Sequence, residues 1–238
     1  MRLPLVIAHR GDSSRALENS LEAVRLALAL PADMIELDIR KSRDNHLYVV
    51  HDQDTGRTAD RSVDVERSES DEIASVKLKN GGPIPTLKDV LDLVGGKAGL
   101  NLEIKSDGAG GLTAAHLAGA GYKGPVMISS FKEREVLDAR RVLPGLVFSE
   151  IFDEFSLQDL KQYAAKGYGV VSLKRSTVSR ELVAACHDRK IKVYVWTVDD
   201  EEEMARFAEW GVDGIYSNRP GVLKEIIEKL QIAGAKEA

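Results

Sequence analysis

Acidic, basic and imidazole side chains recur in this chain at the ends of short apolar runs. Carboxylates bind hard divalent cations, imidazoles exchange protons near neutral pH, and Lys and Arg bind anionic oxygens. Together these residue types predict an active site that binds a hard cation and moves protons between oxygen atoms. The side chains concerned are His9, Arg10, Glu36, Asp38, His51, Glu103 and Lys105.

The spacing of the carboxylates indicates that they share one face of a strand. Side chains in a strand alternate between the two faces, so residues two apart lie on the same side. In the segment 34–39, Glu36 and Asp38 therefore face one way and the three isoleucine and leucine side chains face the other. The same alternation in the segment 99–105 groups three polar side chains, Asn101, Glu103 and Lys105.

Whether the charged face of these strands is exposed to solvent or points into the protein depends on the elements around them. For an isolated E-x-D pattern, the ordinary alternative is the wet side of a two-faced sheet. Here strand-like and helix-like segments alternate, and such chains cover a parallel sheet with helices on the outside. Carboxylates that point inward then require compensation, which a metal ion supplies best.

Eight apolar runs with strand character alternate with helix-periodic segments. The strands are predicted at 5–8, 34–39, 100–104, 126–129, 146–151, 169–173, 193–197 and 214–217. The helices are predicted at 17–30, 86–94, 111–121, 133–143, 157–166, 180–190, 201–210 and 222–230. With 238 residues, this pattern predicts an α/β fold, a single (β/α)8 TIM barrel whose active site lies at the carboxyl ends of the strands.

One polar segment interrupts the alternation. Residues 52–85 are charged and poorly periodic, and the short apolar run 47–50 before them has strand character. We expect an insertion after the second strand, beside the site, where barrels carry loops that select substrates. Residues 233–238 resemble a frayed tail. The expected organisation is thus one domain over residues 1–238.

Composition excludes several classes of protein. The net charge of −5 and the lack of a Lys/Arg-rich block argue against binding to nucleic acid. The single cysteine, Cys186, rules out an intramolecular disulfide and fits a reducing compartment. No apolar window reaches the 18 or so residues of a membrane span, and Met1 to His9 lacks the marks of a signal peptide. We therefore expect a cytoplasmic protein without stable membrane insertion.

With these residues in order, the chain resembles the glycerophosphodiester phosphodiesterase family, a family of (β/α)8 barrels that carry H-R-G, E-N-T, E-x-D, H-D and E-x-K. The matching segments are His9-Arg10-Gly11, Glu18-Asn19-Ser20, Glu36-Leu37-Asp38, His51-Asp52 and Glu103-Ile104-Lys105. Trp196 and the segment 211–215 also match, so the resemblance spans nearly the whole chain. Departures are Leu17 in place of a usual Pro, the segment 54–56, and Asn218 where an acid is common.

The resemblance implies a role for each matching residue, and the side-chain chemistry agrees with those roles. One divalent cation, Mg²⁺ or Ca²⁺, would be held by the carboxylates, and the two histidines would act as general acid and base. The cationic side chains would bind the phosphate, and an aromatic side chain would form a wall of the glycerol site. The metal ligands would be Glu36, Asp38 and Glu103, the catalytic residues His9 and His51, and the substrate-binding residues Arg10, Lys105 and Trp196.

The implied reaction is metal-dependent hydrolysis of small-molecule glycerophosphodiesters to glycerol 3-phosphate and an alcohol, through a cyclic phosphate. Three alternatives stay open: a related lyase that stops at the cyclic product, an aldolase-like barrel with Lys105 as Schiff-base amine, and a non-catalytic binding barrel. Ser130 and Glu150, also at strand ends, are further candidates for residues that support the site. No sequence feature specifies the alcohol or an oligomeric state.

Overall fold

Nine apolar segments form strands in the computed structural model, which describes residues 3–236. The strands are β1 (Leu5–His9), β2 (Met34–Lys41), β3 (Leu47–Val49), β4 (Gly99–Ile104), β5 (Val126–Ser130), β6 (Val147–Phe152), β7 (Val170–Lys174), β8 (Lys192–Trp196) and β9 (Gly214–Ser217). Eight of them pair in parallel in the order β1-β9-β8-β7-β6-β5-β4-β2, and β1 pairs with β2 to close a barrel. The ninth, β3, lies outside and pairs antiparallel with β2. The predicted TIM barrel is confirmed.

Helices connect the strands, and their first residues follow the usual capping chemistry. Five helices are preceded by a residue whose side chain accepts a hydrogen bond from a backbone N–H of the first turn. These residues are Ser20, Thr86, Ser156, Ser179 and Asp200. The helices are α1 (Leu21–Ala29), α2 (Ser70–Ala74), α3 (Leu87–Val94), α4 (Ala109–Ala120), α5 (Glu133–Val142), α6 (Leu157–Ala165), α7 (Arg180–His187), α8 (Glu201–Glu209) and α9 (Pro220–Lys236), with a 3-10 turn at Arg175–Thr177.

The two faces of the barrel strands bury different side chains. Ile35, Leu37 and Ile39 of β2 point outward into the main apolar core between strands and helices. The opposite face of the sheet encloses a smaller apolar cluster inside the barrel, which includes Ile7 and Tyr194. This is the alternation predicted for β2, and it leaves Glu36 and Asp38 on the inner face.

The insertion has a small core of its own. Residues after β3 bury Val65, Ile73 and Val76 completely in a cluster separate from the main core. Polar contacts fasten this segment to the barrel: Glu66 accepts hydrogen bonds from Arg40 at 2.5 Å and from Ser106 at 2.8 Å. Arg40 also donates to the backbone carbonyl of His51 at 2.8 Å. These hydrogen bonds together hold the start of the insertion at the barrel mouth.

Three predicted helix boundaries differ from the structure by three residues or more. The helix expected over 180–190 ends at His187. The first helix begins at Leu21, four residues later than expected, because Asn19 has a left-handed φ of 57° that a helix cannot contain. The expected tail from residue 233 is helical through Lys236, as part of α9, while residues 237 and 238 lie outside the described residues. The single-domain organisation over residues 1–238 stays a prediction. Among residues 3–236, no helix combines the length and apolarity needed to cross a bilayer.

A left-handed turn ends β1 and starts the first loop. Arg10 has a φ of 58° and Gly11 a φ of 83°, so the backbone reverses directly after His9. A Cβ atom on Gly11 would lie 2.7 Å from atoms of Ala23 in α1. Glycine is therefore required at this position by both its backbone angle and the closeness of the helix.

We predict that Gly11→Ala lowers the free energy of unfolding by roughly 2–4 kcal/mol, from backbone strain and the clash with Ala23. Gly119→Ala is the matched control, because a Cβ at Gly119 in α4 would contact nothing within 4 Å. This control should leave stability unchanged or raise it by up to about 1 kcal/mol. Urea unfolding measures both; equal stabilities of the two variants would contradict the account.

Candidate active site

A cleft opens at the carboxyl end of the barrel strands. Its volume is about 560 Å³, including space that is open to solvent. In an α/β barrel, side chains at this end of several strands converge on one space. All eight predicted site residues lie at the cleft: seven line it, and Asp38 lies buried against two of them. The seven are His9, Arg10, Glu36, His51, Glu103, Lys105 and Trp196.

Three carboxylates converge at the floor of one side of the cleft. Glu36, Asp38 and Glu103 each offer one oxygen atom, and these atoms lie within 4.8 Å of one another. The register explains the approach, because Asp38 on β2 lies directly beside Glu103 on β4. All three side chains are buried, so their negative charges are concentrated in a region of low dielectric constant.

The carboxylate oxygens suit a divalent cation. The Oε1 atom of Glu36 is buried and accepts no hydrogen bond, and the buried Oδ1 atom of Asp38 accepts none either, its nearest charge being the Lys105 ammonium group at 3.3 Å. Buried polar atoms are normally paired, and hard cations such as Mg²⁺ and Ca²⁺ bind carboxylate oxygens. The donor set therefore fits the cation that the sequence predicts, and the ligand roles of these residues stay predictions.

Burial and mutual repulsion separate the pKa values of the three acids. Burial and the nearby charge of Asp38 raise the pKa of Glu36 to about 8 and that of Glu103 to about 7. Burial also acts to raise the pKa of Asp38, but the cations of Lys105 and Arg10 outweigh it and lower that pKa to about 2. Asp38 is thus the permanent anion of the cluster.

Arg10 and Lys105 pair with these acids. The Nε atom of Arg10 lies 3.2 Å from Oδ2 of Asp38, and its Nη1 donates to Oε1 of Glu18 at 2.8 Å. The ammonium group of Lys105 contacts Glu103 directly and lies 3.3 Å from Oδ1 of Asp38. Burial acts to lower the pKa of Lys105, but Asp38 and Glu103 outweigh it and raise that pKa. Lys105 is therefore cationic, which argues against a Schiff-base amine.

His9 lies beside the carboxylates with one ring nitrogen turned away from them. Its Nδ1 atom is 2.7 Å from Oδ1 of Asn218, and its Nε2 atom is 3.9 Å from Oε2 of Glu36. Burial and the charge of Arg10 lower the pKa of His9. The imidazole is therefore neutral near pH 7, as a proton acceptor must be.

His51 lies at the cleft where the insertion begins, and a carboxylate orients it. Its Nδ1 atom is 2.6 Å from Oδ1 of Asp52. Arg57 in turn donates to Asp52 at 2.5 Å and makes two hydrogen bonds to Glu18, at 2.7 and 2.8 Å. Since Glu18 also accepts from Arg10, one chain of charge pairs links both ends of the site. Burial lowers the pKa of His51, with Asp38 and Asp52 opposing it.

Aromatic rings form the opposite wall of the cleft. Trp196 at the end of β8 meets Phe131 edge to face, with ring centroids 5.6 Å apart. Phe131 is 47% exposed, which is unusual for a large apolar side chain and places it at the rim. Lys105 lies 5.7 Å from the Phe131 ring centroid, so the aromatic wall adjoins the cationic side of the site.

Neither of the two supporting candidates proposed from the sequence lines the cleft, and one further residue near the site was missed. Glu150 faces the helices, where Lys166 donates to both carboxylate oxygens, because it shares a strand face with outward-pointing neighbours. Ser130 donates to the backbone carbonyl of Ile104, the residue between Glu103 and Lys105, and its supporting role stays a prediction. Asn218, seen only as a departure from the family pattern, contacts His9. Its position directly after β9 was the available signal.

A parallel barrel with carboxylates, histidines and cations gathered at the carboxyl ends of its strands has the architecture of a barrel enzyme. The comparison with protein families specifies the class. The model of the "Glycerophosphoryl diester phosphodiesterase family" matches residues 9–222. The chain belongs to this family, and the phosphodiesterase class predicted from the sequence is confirmed.

Similar proteins match nearly the whole chain. A glycerophosphodiester phosphodiesterase from Caldanaerobacter subterraneus subsp. tengcongensis is 33% identical over 94% of this chain and 98% of its own length. Another from Bacillus subtilis is 26% identical over 93% of this chain and 86% of its own length.

A solved phosphodiesterase from Oleispira antarctica, in complex with the product sn-glycerol-3-phosphate, superposes with a TM-score of 0.88. It is 23% identical and covers 95% of this chain and 97% of its own, so it supports the fold.

The raised pKa of Glu36 generates a prediction about stability. A carboxyl group whose folded pKa lies near 8 contributes stability at acid pH that is lost as the pH rises through 8. The glutamine in Glu36→Gln cannot ionise. With chelator present, we therefore expect the free energy of unfolding of this variant, relative to that of the wild type, to rise by about 1–3 kcal/mol between about pH 5 and pH 9. Urea unfolding at several pH values measures this difference. The exposed Glu228→Gln is the control and should show no such trend; a pH-independent difference for Glu36→Gln would refute the prediction.

Proposed function

We propose that this chain hydrolyses small-molecule glycerophosphodiesters to glycerol 3-phosphate and an alcohol, with one divalent cation, Mg²⁺ or Ca²⁺. The observation that carries the proposal is the meeting of three carboxylates, two cationic side chains and two histidines at one cleft. The complex of the Oleispira protein with sn-glycerol-3-phosphate supports the choice of product. The cytoplasmic location expected from the sequence stays a prediction.

Charge balance supports a phosphodiester as the substrate. The three carboxylates carry three negative charges when ionised, and Arg10 and Lys105 carry two positive charges. A divalent cation held by Glu36, Asp38 and Glu103 brings the sum to +1, which attracts a phosphodiester monoanion. When bound, the cation supplies electrostatic stabilisation of the charge that develops on phosphate oxygens.

The side chains have distinct tasks in this proposal. Arg10 and Lys105 bind phosphate oxygens, and Trp196 forms one wall of the glycerol site. One histidine removes the proton from the glycerol 2-hydroxyl, whose oxygen attacks phosphorus, while the other protonates the departing alcohol oxygen. The two histidines then exchange roles as water opens the cyclic phosphate to glycerol 3-phosphate.

The orientation of both histidines supports this division of labour. His9 and His51 each have Nδ1 within hydrogen-bond distance of an oxygen, on Asn218 and Asp52 respectively. A ring held by one nitrogen leaves the other for exchange with substrate. Two such rings at one cleft satisfy the need for one proton acceptor and one proton donor in each step.

We expect His9→Ala and His51→Ala each to reduce kcat about 100-fold or more, because each removes a proton-transfer group. His46→Ala is the control, since this histidine is 61% exposed and away from the cleft. Release of glycerol 3-phosphate from glycerophosphodiesters with different alcohols is the assay. Full activity of folded His9→Ala or His51→Ala would overturn its assigned role. Phosphorus NMR tests the lyase alternative, which requires the cyclic phosphate to accumulate as the final product.

We expect Mg²⁺ or Ca²⁺ to bind with one ion per chain, and Glu103→Gln to weaken that binding about tenfold or more. Glu150→Gln is the matched control, because it too is a buried carboxylate at a strand end, but it faces Lys166 instead of the cleft. Titration calorimetry measures both affinities. Equal weakening by the two substitutions, or unchanged binding by Glu103→Gln, would refute the ligand assignment.

A further inference from the structure

A polar network behind His9 lies outside the residues assigned so far. Asp199, in the loop between β8 and α8, accepts hydrogen bonds from Asn218 Nδ2 at 2.6 Å and from the Asn218 backbone N–H at 2.8 Å. The hydroxyl of Ser217 also donates to Asp199, at 3.0 Å. Neither Asp199 nor Ser217 lines the cleft, so their effect on chemistry must pass through Asn218.

The Asp199 carboxylate fixes which way the Asn218 amide points. An ionised carboxylate only accepts hydrogen bonds, and the amide nitrogen only donates them. The amide nitrogen must therefore face Asp199, which leaves Oδ1 facing His9, 2.7 Å from Nδ1. Ser13 Oγ, a hydroxyl that can donate, lies 2.9 Å from the same oxygen.

The orientation of Asn218 in turn fixes the tautomer of His9. Because an amide oxygen has no hydrogen to donate, Nδ1 of His9 must carry the proton in this contact. The lone pair of the neutral ring then lies on Nε2, which is on the carboxylate side of the cleft, 3.9 Å from Oε2 of Glu36. In His51, Nδ1 lies directly against a carboxylate oxygen of Asp52, so Nδ1 carries the proton there as well.

We infer that Asp199 is a positioning residue that acts through Asn218 to keep the His9 proton on Nδ1, so that the proton-accepting lone pair of His9 lies on Nε2, on the side of the cleft. This inference rests on the proposed function, in which His9 exchanges protons with substrate. The ordinary alternative is that Asp199 only connects two loops. The two roles can be distinguished by exchanging the hydrogen-bond donor and acceptor between positions 199 and 218.

Asp199→Asn tests the direction of the network with little change in shape. The amide at position 199 has a single oxygen, and the backbone N–H of Asn218 donates to it. The NH₂ group of that amide therefore faces the Asn218 side chain. The Asn218 amide then rotates and presents its nitrogen to His9, which must accept at Nδ1 and carry its proton on Nε2. We expect kcat to fall about 100-fold, because the proton acceptor is lost, with a much smaller change in KM.

The double variant D199N/N218D exchanges donor and acceptor and restores the geometry. Its new carboxylate at position 218 accepts from the new amide at position 199 and from Nδ1 of His9. We expect kcat to recover to within a few-fold of the wild type. Ser217→Ala, which removes one hydrogen bond to Asp199 without reversing any donor, is the matched control and should retain nearly full kcat.

Nitrogen NMR of histidine-labelled protein reads the tautomer without reference to activity. We expect a protonated Nδ1 for His9 in the wild type and the double variant, and a protonated Nε2 in Asp199→Asn. A protonated Nε2 in the neutral wild-type ring, an unchanged tautomer in Asp199→Asn, or a double variant no more active than Asp199→Asn would overturn the inference. Failure of the proposed function would appear separately, as full activity of His9→Ala.

Discussion

The central constraint on this structure is the burial of three carboxylates within 4.8 Å of one another. Like charges at that distance in a low-dielectric region repel strongly, and each loses its hydration. Two of the acids respond with pKa values raised to about 8 and about 7. Asp38 stays ionised because Lys105 and Arg10 lie beside it and Asn19 donates a hydrogen bond to it. The cluster is therefore costly for the fold, and a divalent cation is the ligand that best offsets that cost.

Much of the surrounding structure serves to place cations and hydrogen-bond donors against these acids. The left-handed turn at Arg10 and Gly11 directs the Arg10 backbone N–H to Glu36 at 2.9 Å and its guanidinium to Asp38. Asn19, also left-handed, donates its amide to Asp38 at 2.8 Å. Backbone strain at these positions is tolerated because the donors satisfy buried charge. The requirement for Gly11 in a tight turn follows from the same arrangement.

The parts of the site that obey strand periodicity could be predicted from the sequence, and the parts built by loops could not. Alternation along β2 correctly placed Glu36 and Asp38 inside the barrel, since strand geometry fixes the face of each side chain. The same rule, applied to β6, would have placed Glu150 outside. By contrast, the start of the first helix and the contact between Asn218 and His9 depend on loop conformations and on residues more than 200 positions apart. The position of Asn218 directly after β9 indicates that it lies near the site, but no local pattern specifies its contact with His9.

Anomalous diffraction from crystals soaked in Mn²⁺ tests the central claim most directly, because the ion scatters anomalously and prefers the same oxygen ligands as Mg²⁺. The account predicts one strong peak at roughly 2.0–2.6 Å from carboxylate oxygens of Glu36, Asp38 and Glu103 together. Lys105 should move away from Glu103 as the ion takes its place. A fully soaked crystal with no peak among these three residues, or with its peak elsewhere at the cleft, would contradict the account.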